Sequence, residues 1–350
     1  MTASKFRDRQ SSLIKQVRAL LTSETTQYIL KRLLQALLTL LLASALSFAI
    51  VQLAPGNYLD ILKEDPTISE ETIAQLTARY GLDRPIVVQY WTWLVGVVTR
   101  FDFGRSFVYS RSVGSLILER MGNTLLLAIS SIIMTWAIAL PLGIIGAVKQ
   151  NQPLDRGLRI LSYIGQGFPS FITALLLLFV AQVLSPLLPV GGMTSINHNQ
   201  LPAIGKMFDI AWHMILPTIA LSITSFAGLQ RLTRGSLLDV LRQEYIQTAR
   251  AKGLSEDRVM YVHALRNAVN PLITILGFEF ASLLSGSFIA EFFFNWPGLG
   301  RLILQAVMTQ DLYLVMASLM MGAAMLILGN LLADLLLKAV DPRIRLENLQ

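Results

Sequence analysis

Few residues in this 350-residue chain are equipped for chemistry, and their placement rules most chemistry out. There is no cysteine, so disulfides, zinc–thiolate sites and redox pairs are excluded. The three histidines, His198, His213 and His263, stand far apart and show no short metal-ligand spacing. What remains is a set of acids stranded in apolar sequence: Glu279 and Asp334 inside long apolar runs, and Glu291 near the end of one. An ionisable side chain inside a membrane span costs a few kcal/mol and marks a role by default. Glu279 suits a position facing a pathway or another subunit; the alternatives are a partner helix, a bound proton or an arginine. Glu291 is close enough to an end to reach water, which suits an interface. Asp334 can snorkel to the cytosol or pair with Lys338. Ser282 with Gly286, and Ala281 with Ser285, have the small-residue spacing of close helix packing. No apolar run holds a paired-acid, His or Cys constellation, so the expectation is no catalytic residue, no metal and no cofactor bound by this chain.

The elements around these acids are membrane spans. Hydrophobic residues make up 53% of the chain and charged residues 15%, against about 25% charged in a soluble domain. The apolar residues come in blocks separated by charge. Span one is Leu33–Leu53, with Lys31 and Arg32 before it and Pro55-Gly56 after it. Span two is Leu125–Val148. Span three runs from about Ile160 to Leu184 and contains Pro169, which predicts a kink. Span four is about Met214–Leu229, with Pro217 near its start; span five is Leu272–Phe294, and span six about Tyr313–Leu337. The predicted fold is an all-α integral membrane protein with six spans and both termini cytoplasmic.

Charge supports that orientation. Lys and Arg number seven in residues 1–32, three in 149–159, seven in 230–270 and three in 338–350, against one in each of the two short outside loops. Twenty against two is the positive-inside bias, and it explains the net charge of +7 without a nucleic-acid partner. Residues 1–27 form a cytosolic tail, with an amphipathic stretch near Leu13–Leu21. Residues 28–345 form the transmembrane domain, and 346–350 close the chain. Within residues 55–123, an extracytoplasmic segment, Ser69 with Glu70 and Glu71 predicts a helix start and Tyr80-Gly81 its stop. Ile86–Val98, with Tyr90, Trp91 and Trp93, is too short to span and suits the membrane interface.

One stretch, Glu244–Pro271, is charged and lies between two apolar runs. On a helical wheel running in from span four, Leu238, Leu241, Tyr245 and Ala249 share one face; Asp239, Gln243, Gln247 and Arg250 share another. Arg242, Ile246 and Lys252 blur the boundary. Gly253 takes the position that favours a left-handed backbone, and Ser255 can cap a second helix with Glu256 and Asp257 in its first turn. The pattern is helix, glycine corner, helix, joined to span five. It suits a docking element, and equally a helix lying on lipid.

The segment EYIQTARAKGL followed by VHALRNA resembles the cytoplasmic EAA loop of permease subunits in binding-protein-dependent ABC importers. It is similar in particular to the B-type permease of dipeptide and oligopeptide systems. Lys31-Arg32-Leu33, Ala54-Pro55-Gly56, Tyr80–Pro85, Phe103-Gly104, His213–Pro217, Trp296–Arg301 and Pro342–Arg345 extend the likeness across residues 28–345. The general E-A-A triplet reads Gln247-Thr248-Ala249 here, and the general I-x-L-P reads His263-Ala264-Leu265-Arg266, so Glu244 is not the motif acid. The resemblance implies the type I importer permease fold in a bacterial inner membrane. It implies a second homologous permease, two ATPase subunits that use the ATP, and an extracytoplasmic solute-binding protein. It also implies that residues 234–270 form the coupling loop, with Glu244, Tyr245, Thr248, Ala249, Arg250, Ala251, Lys252, Gly253, Leu254, His263, Leu265 and Arg266 at the ATPase. The chain has no phosphate-cradling G-x-x-x-x-G-K-[ST] of its own. The solute implied is a peptide, with nickel or glutathione as related alternatives. A secondary transporter is the competing class; its inverted repeats are not evident.

Overall fold

A computed structural model describes residues 24–340 apart from 54–55, 57, 64–66, 274, 277–278 and 280–286. The amphipathic stretch near Leu13–Leu21, ten of the 23 residues of span five and the pairs Ser282/Gly286 and Ala281/Ser285 therefore lie outside the described residues. The regular structure of the described residues is helical, apart from one isolated bridge between Arg105 and Ser112.

The first helix, α1 (Glu24–Leu53), starts well before the apolar run, so Lys31 and Arg32 are helical rather than flanking. Its leucines at 34, 37, 38 and 42 are exposed, the surface expected of a span facing lipid. Near its start, Arg32 Nη2 and Tyr28 Oη both donate to Asp334 Oδ2, at 2.9 and 2.5 Å. Asp334 thus pairs with Arg32, 302 residues away; the side chain of Lys338, the expected partner, lies outside the described residues.

The segment after α1 is built from α2 (Tyr58–Lys63), α3 (Glu70–Tyr80) and α4 (Ile86–Arg100). As the sequence predicts, Ser69 caps α3 by accepting from the Thr72 amide at 3.2 Å, and Gly81 ends it at φ 67°. Trp93 and Val97 of α4 join Phe48, Phe107, Leu312 and Met316 in a core that ties the segment to the first and last long helices.

Next come α5 (Val113–Val148), α6 (Pro153–Gly167), α7 (Ser170–Val183) and α8 (Ala203–Leu241). The expected kink at Pro169 is instead a break: α6 and α7 meet at 101°. Pro169 has no amide to donate and drives Phe168 into an extended backbone, φ −88° and ψ 127°. By contrast α8 continues through Pro217. Among the described residues, helices α5 and α8 share the most extensive packing, seamed by small polar residues. Ser222 Oγ donates to the Ser131 carbonyl at 3.2 Å, and Ser130 and Thr218 hydroxyls are 3.1 Å apart.

After the charged stretch the chain forms α9 (Glu244–Ala251), α10 (Glu256–Arg258), a π-helical turn (Val259–Ala264) and α11 (Leu265–Ala268). Beyond the partly described run follow α12 (Phe288–Phe293), α13 (Leu299–Met308) and α14 (Leu312–Val340). The sequence reading had no helix at α13; its buried Leu299, Leu302 and Ala306 form a core with Val113, Leu116, Leu314 and Val315.

Among the described residues four helices are long and apolar enough to cross a membrane: α1, α5, α8 and α14. The broken pair α6–α7 makes a fifth if it counts as one span.

Candidate functional site

The charged stretch folds as two short helices about a corner, seated on the ends of α5 and α8. Helix α8 stops at Leu241, and Gln243 is extended (φ −70°, ψ 146°), so α9 is a separate helix. The single wheel from Leu238 to Ala249 is thereby corrected. Re-phased at Gln243, α9 buries Ile246 completely and Ala249 nearly so, while Tyr245 is 44% exposed. Ile246, which blurred the wheel, is the anchor.

Gly253 turns the corner at φ 75°, and no heavy atom lies within 4 Å of where a Cβ would be. Its amide donates to the Arg250 carbonyl at 2.9 Å. Across the corner, Arg250 Nε and Nη2 meet both oxygens of Glu256 at 2.9 and 3.1 Å. Ser255 has the extended backbone of a cap, but its hydroxyl makes no capping bond. The second helix widens into the π turn at Val259–Ala264, a distortion that recurs at functional sites.

The underside of the loop is apolar. Ile246, Ala249, Val259, Ala264 and Ala268 pack on Ala147 of α5 and Leu237 of α8, with Leu254 at the edge. The outer side is open: Glu244, Tyr245, Thr248, Arg250, Ala251, Lys252, Gly253 and Arg266 are exposed, whereas His263 and Leu265 are half-buried. Asn267, which the sequence reading passed over, ties the two limbs together. Its Nδ2 donates to Tyr245 Oη at 3.1 Å and to the His263 carbonyl at 2.9 Å. Its place four residues after His263 was the available signal.

A cavity of about 700 Å³ opens beside α8, lined by Thr224, Ser225, Gly228, Arg231, Leu232 and Glu279 among others. Glu279 is 8% exposed; its Oε2 accepts from Trp136 Nε1 at 2.8 Å, and its Oε1 has no partner among the described residues. Arg231 lies over the Tyr163 ring, 5.4 Å from its centre. Neither Trp136 nor Arg231 stood out in the sequence, since only the fold brings Trp136 to Glu279 and Arg231 to this cavity.

Glu291, expected within reach of water, is fully buried. Its Oε1 accepts from Thr124 Oγ1 at 2.7 Å and Ser287 Oγ at 2.9 Å, and its Oε2 from the Arg301 amide at 3.1 Å. The turn Asn295–Gly300 wraps around this carboxylate, and Asn123 Nδ2 reaches the Pro297 carbonyl at 2.8 Å.

Residues 139–346, which include the loop, the cavity and this corner, match the model of the family described as binding-protein-dependent transport system inner membrane component. Residues 25–128 match the model for the N-terminal part of such membrane components. The chain belongs to this family. Membership makes it an inner-membrane permease subunit of binding-protein-dependent ABC transport. Among relatives of this permease is the oligopeptide transport system permease protein AppB of Bacillus subtilis (strain 168), 40% identical over 318 residues, covering 91% of this chain and 98% of that one. The dipeptide transport system permease protein DppB of Escherichia coli (strain K12) is 37% identical over 335 residues, with the same coverage. The glutathione transport system permease protein GsiC of Salmonella choleraesuis (strain SC-B67) is 37% identical over 318 residues, again covering 91% and 98%. A chain of the MetNI methionine ABC transporter, solved in inward-facing conformations, superposes at TM-score 0.49 with 17% identity, covering 64% of this permease and 96% of that chain. A superposition that loose says nothing about the state of this permease.

Proposed function

We propose that this permease forms half of the translocation pathway of an ATP-driven peptide importer, its loop around Gly253 taking the push of a separate ATPase. One observation carries the reading. The loop is apolar beneath, where it seats on α5 and α8, and polar and open above. A helix lying on lipid would present its apolar side outward, so this polarity favours docking against protein.

In this reading the chain has six spans: α1, α5, the broken pair, α8, the run Leu272–Phe294 and α14. Both termini and residues 234–270 are cytoplasmic, and residues 55–123 are outside, in keeping with the twenty-to-two bias of Lys and Arg. Tyr245, Thr248, Arg250, Lys252 and Arg266 face a cleft of the ATPase, while Ala249 and Leu254 hold the loop to its seat. The cavity with Glu279 and Arg231 belongs to the pathway, completed by a second homologous permease. Its carboxylate oxygen, unpartnered among the described residues, and its guanidinium suit the two charged ends of a short peptide. Two ATPase subunits use the ATP, and an outer binding protein delivers the solute. The peptide class rests on the relatives, which are named for oligopeptide, dipeptide and glutathione transport.

The test is reconstitution of the full-length chain with its partner permease, ATPases and binding protein in vesicles. ATP-dependent accumulation of a labelled dipeptide or tripeptide is expected, with glutathione and nickel ions as comparison solutes. Uptake driven by an ion gradient without ATP would overturn the reading in favour of a secondary transporter.

A further inference from the structure

The outer segment contains a cavity that transport through the pathway does not use. It measures about 300 Å³ and lies between the α3–α4 turn, one side of α4 and the strand-like stretch after it. Four arginines are among its lining residues, Arg79, Arg84, Arg100 and Arg105, against one acid, Asp102. Asp102 is occupied locally, its Oδ1 accepting from the Gly104 amide at 3.0 Å. Among the described residues none of the four arginines has an ion pair. Four cations gathered in a concave site with one acid repel one another unless an anion joins them. Their planar, forked donors fit the oxygens of a phosphate group.

The floor of the cavity is rigid. Tyr313 Oη donates to the Tyr80 carbonyl at 2.8 Å, and Trp93 Nε1 donates to the Phe103 carbonyl at 3.1 Å. These bonds anchor both sides of the cavity to α14 and to the buried side of α4.

A different side of α4 fixes where the cavity lies. Val87, Trp91, Val95 and Val98 are 40–77% exposed, and Phe101 just beyond the helix is 81% exposed. This apolar stripe with its tryptophan is the surface of a helix lying at the boundary of the hydrocarbon. The arginine cavity is carried by the same helix, and so stands at the level of the lipid headgroups.

We propose that this cavity binds the phosphate of an anionic phospholipid headgroup in the outer leaflet. Outer leaflet follows from the orientation proposed above; the binding itself does not depend on transport. The lipid fixes the outer segment at a set height, with the stripe on α4 resting on its acyl chains.

The test uses the assembled transporter in phosphatidylcholine nanodiscs with and without phosphatidylglycerol, reading retained lipid by native mass spectrometry. Phosphatidylglycerol should be retained in preference to phosphatidylcholine. Arg84→Gln with Arg100→Gln should weaken retention by about fivefold for each guanidinium removed. Arg111→Gln, whose guanidinium pairs with Glu119 and does not line the cavity, should change nothing. Equal retention of both lipids by the unaltered protein would overturn the proposal, whether or not the variants fold. So would release of phosphatidylglycerol by inorganic phosphate at equal concentration, which would mark a free-anion site. Unchanged retention in the double variant, with loss of binding-protein-stimulated ATP hydrolysis, would assign the arginines to a protein contact instead.

Discussion

Arg234 grips Asp155 with both prongs of its guanidinium, Nε to Oδ1 at 2.6 Å and Nη2 to Oδ2 at 2.9 Å. Asp155 has no exposed surface, and its Oδ2 also accepts from the Asn151 amide at 2.8 Å. The pair ties α6 to α8 beside the loop, where three helix ends converge. Arg159 Nε stands 3.8 Å from Asp155 Oδ1, so removing Arg234 leaves Asp155 one weaker partner, and the loss of a partner from a buried charge costs up to about 3–5 kcal/mol. Asp155→Ala and Arg234→Ala should each lower the melting temperature of the purified permease sharply. The double variant should melt well above the sum of the two losses. Additive losses in that cycle would show that the two residues act separately.

At Gly253 the obstacle to a side chain is backbone conformation alone, because the space around it is open. A left-handed backbone costs a non-glycine residue about 1–2 kcal/mol, least for asparagine and most for a β-branched residue. Gly253→Asn should therefore retain transport, while Gly253→Val should insert and assemble but separate ATP hydrolysis from uptake. Both rates measured in the same vesicles decide the matter; normal uptake by the valine variant would remove the corner from the coupling route.

Gly298 stands so close to Glu291 that a Cβ would overlap the buried carboxyl group. Gly298→Ala should destabilise the turn Asn295–Gly300 by about 1–3 kcal/mol, the usual cost of overpacking. Adding Glu291→Ala should relieve part of that loss, since the overlap is with the carboxyl itself. Melting curves of the two single variants and the double variant test this, and a double variant worse than the sum would contradict it.

Asp311 gives the start of α14 a dependence on pH. It is fully buried ahead of α14, accepting from Leu314 N at 3.3 Å, Ser106 Oγ at 2.5 Å and Val108 N at 3.2 Å. Burial pushes its carboxyl above the ordinary 3.8, and these hydrogen bonds only partly offset that. The folded state then holds the proton more tightly than the unfolded chain. Its contribution to stability is complete below the ordinary carboxylate range and declines as pH rises through the raised value. The melting temperature should therefore rise on acidification across that window, and Asp311→Asn should lose this component. A variant with the same pH profile as the unaltered protein would place the titration elsewhere.

What could be read from the sequence was what local residues decide. Ser69, Gly81 and Gly253 act within a turn of themselves, and each does what its type predicts. The charged blocks located the loop for the same reason. The break before α9 was illegible because neither glycine nor proline marks Arg242-Gln243, and without it the phase of Ile246 came out wrong. Pro169 announced a bend, but 101° depends on how α6 and α7 pack on α8. The burial of Glu291 depends on Thr124, 167 residues away, and the partner of Asp334 on Arg32, 302 residues away. No window on the chain holds both members of such pairs.

The seat of the loop has a mechanical consequence. Its underside rests on Ala147 from one helix and Leu237 from another, and those helices are zipped together along Ser131–Ser222 and Ser130–Thr218. A sideways displacement of the loop is therefore applied off-axis to a bonded pair, and turns the pair about its seam. If the loop takes the push of an ATPase as proposed, it works as a crank handle rather than a piston rod.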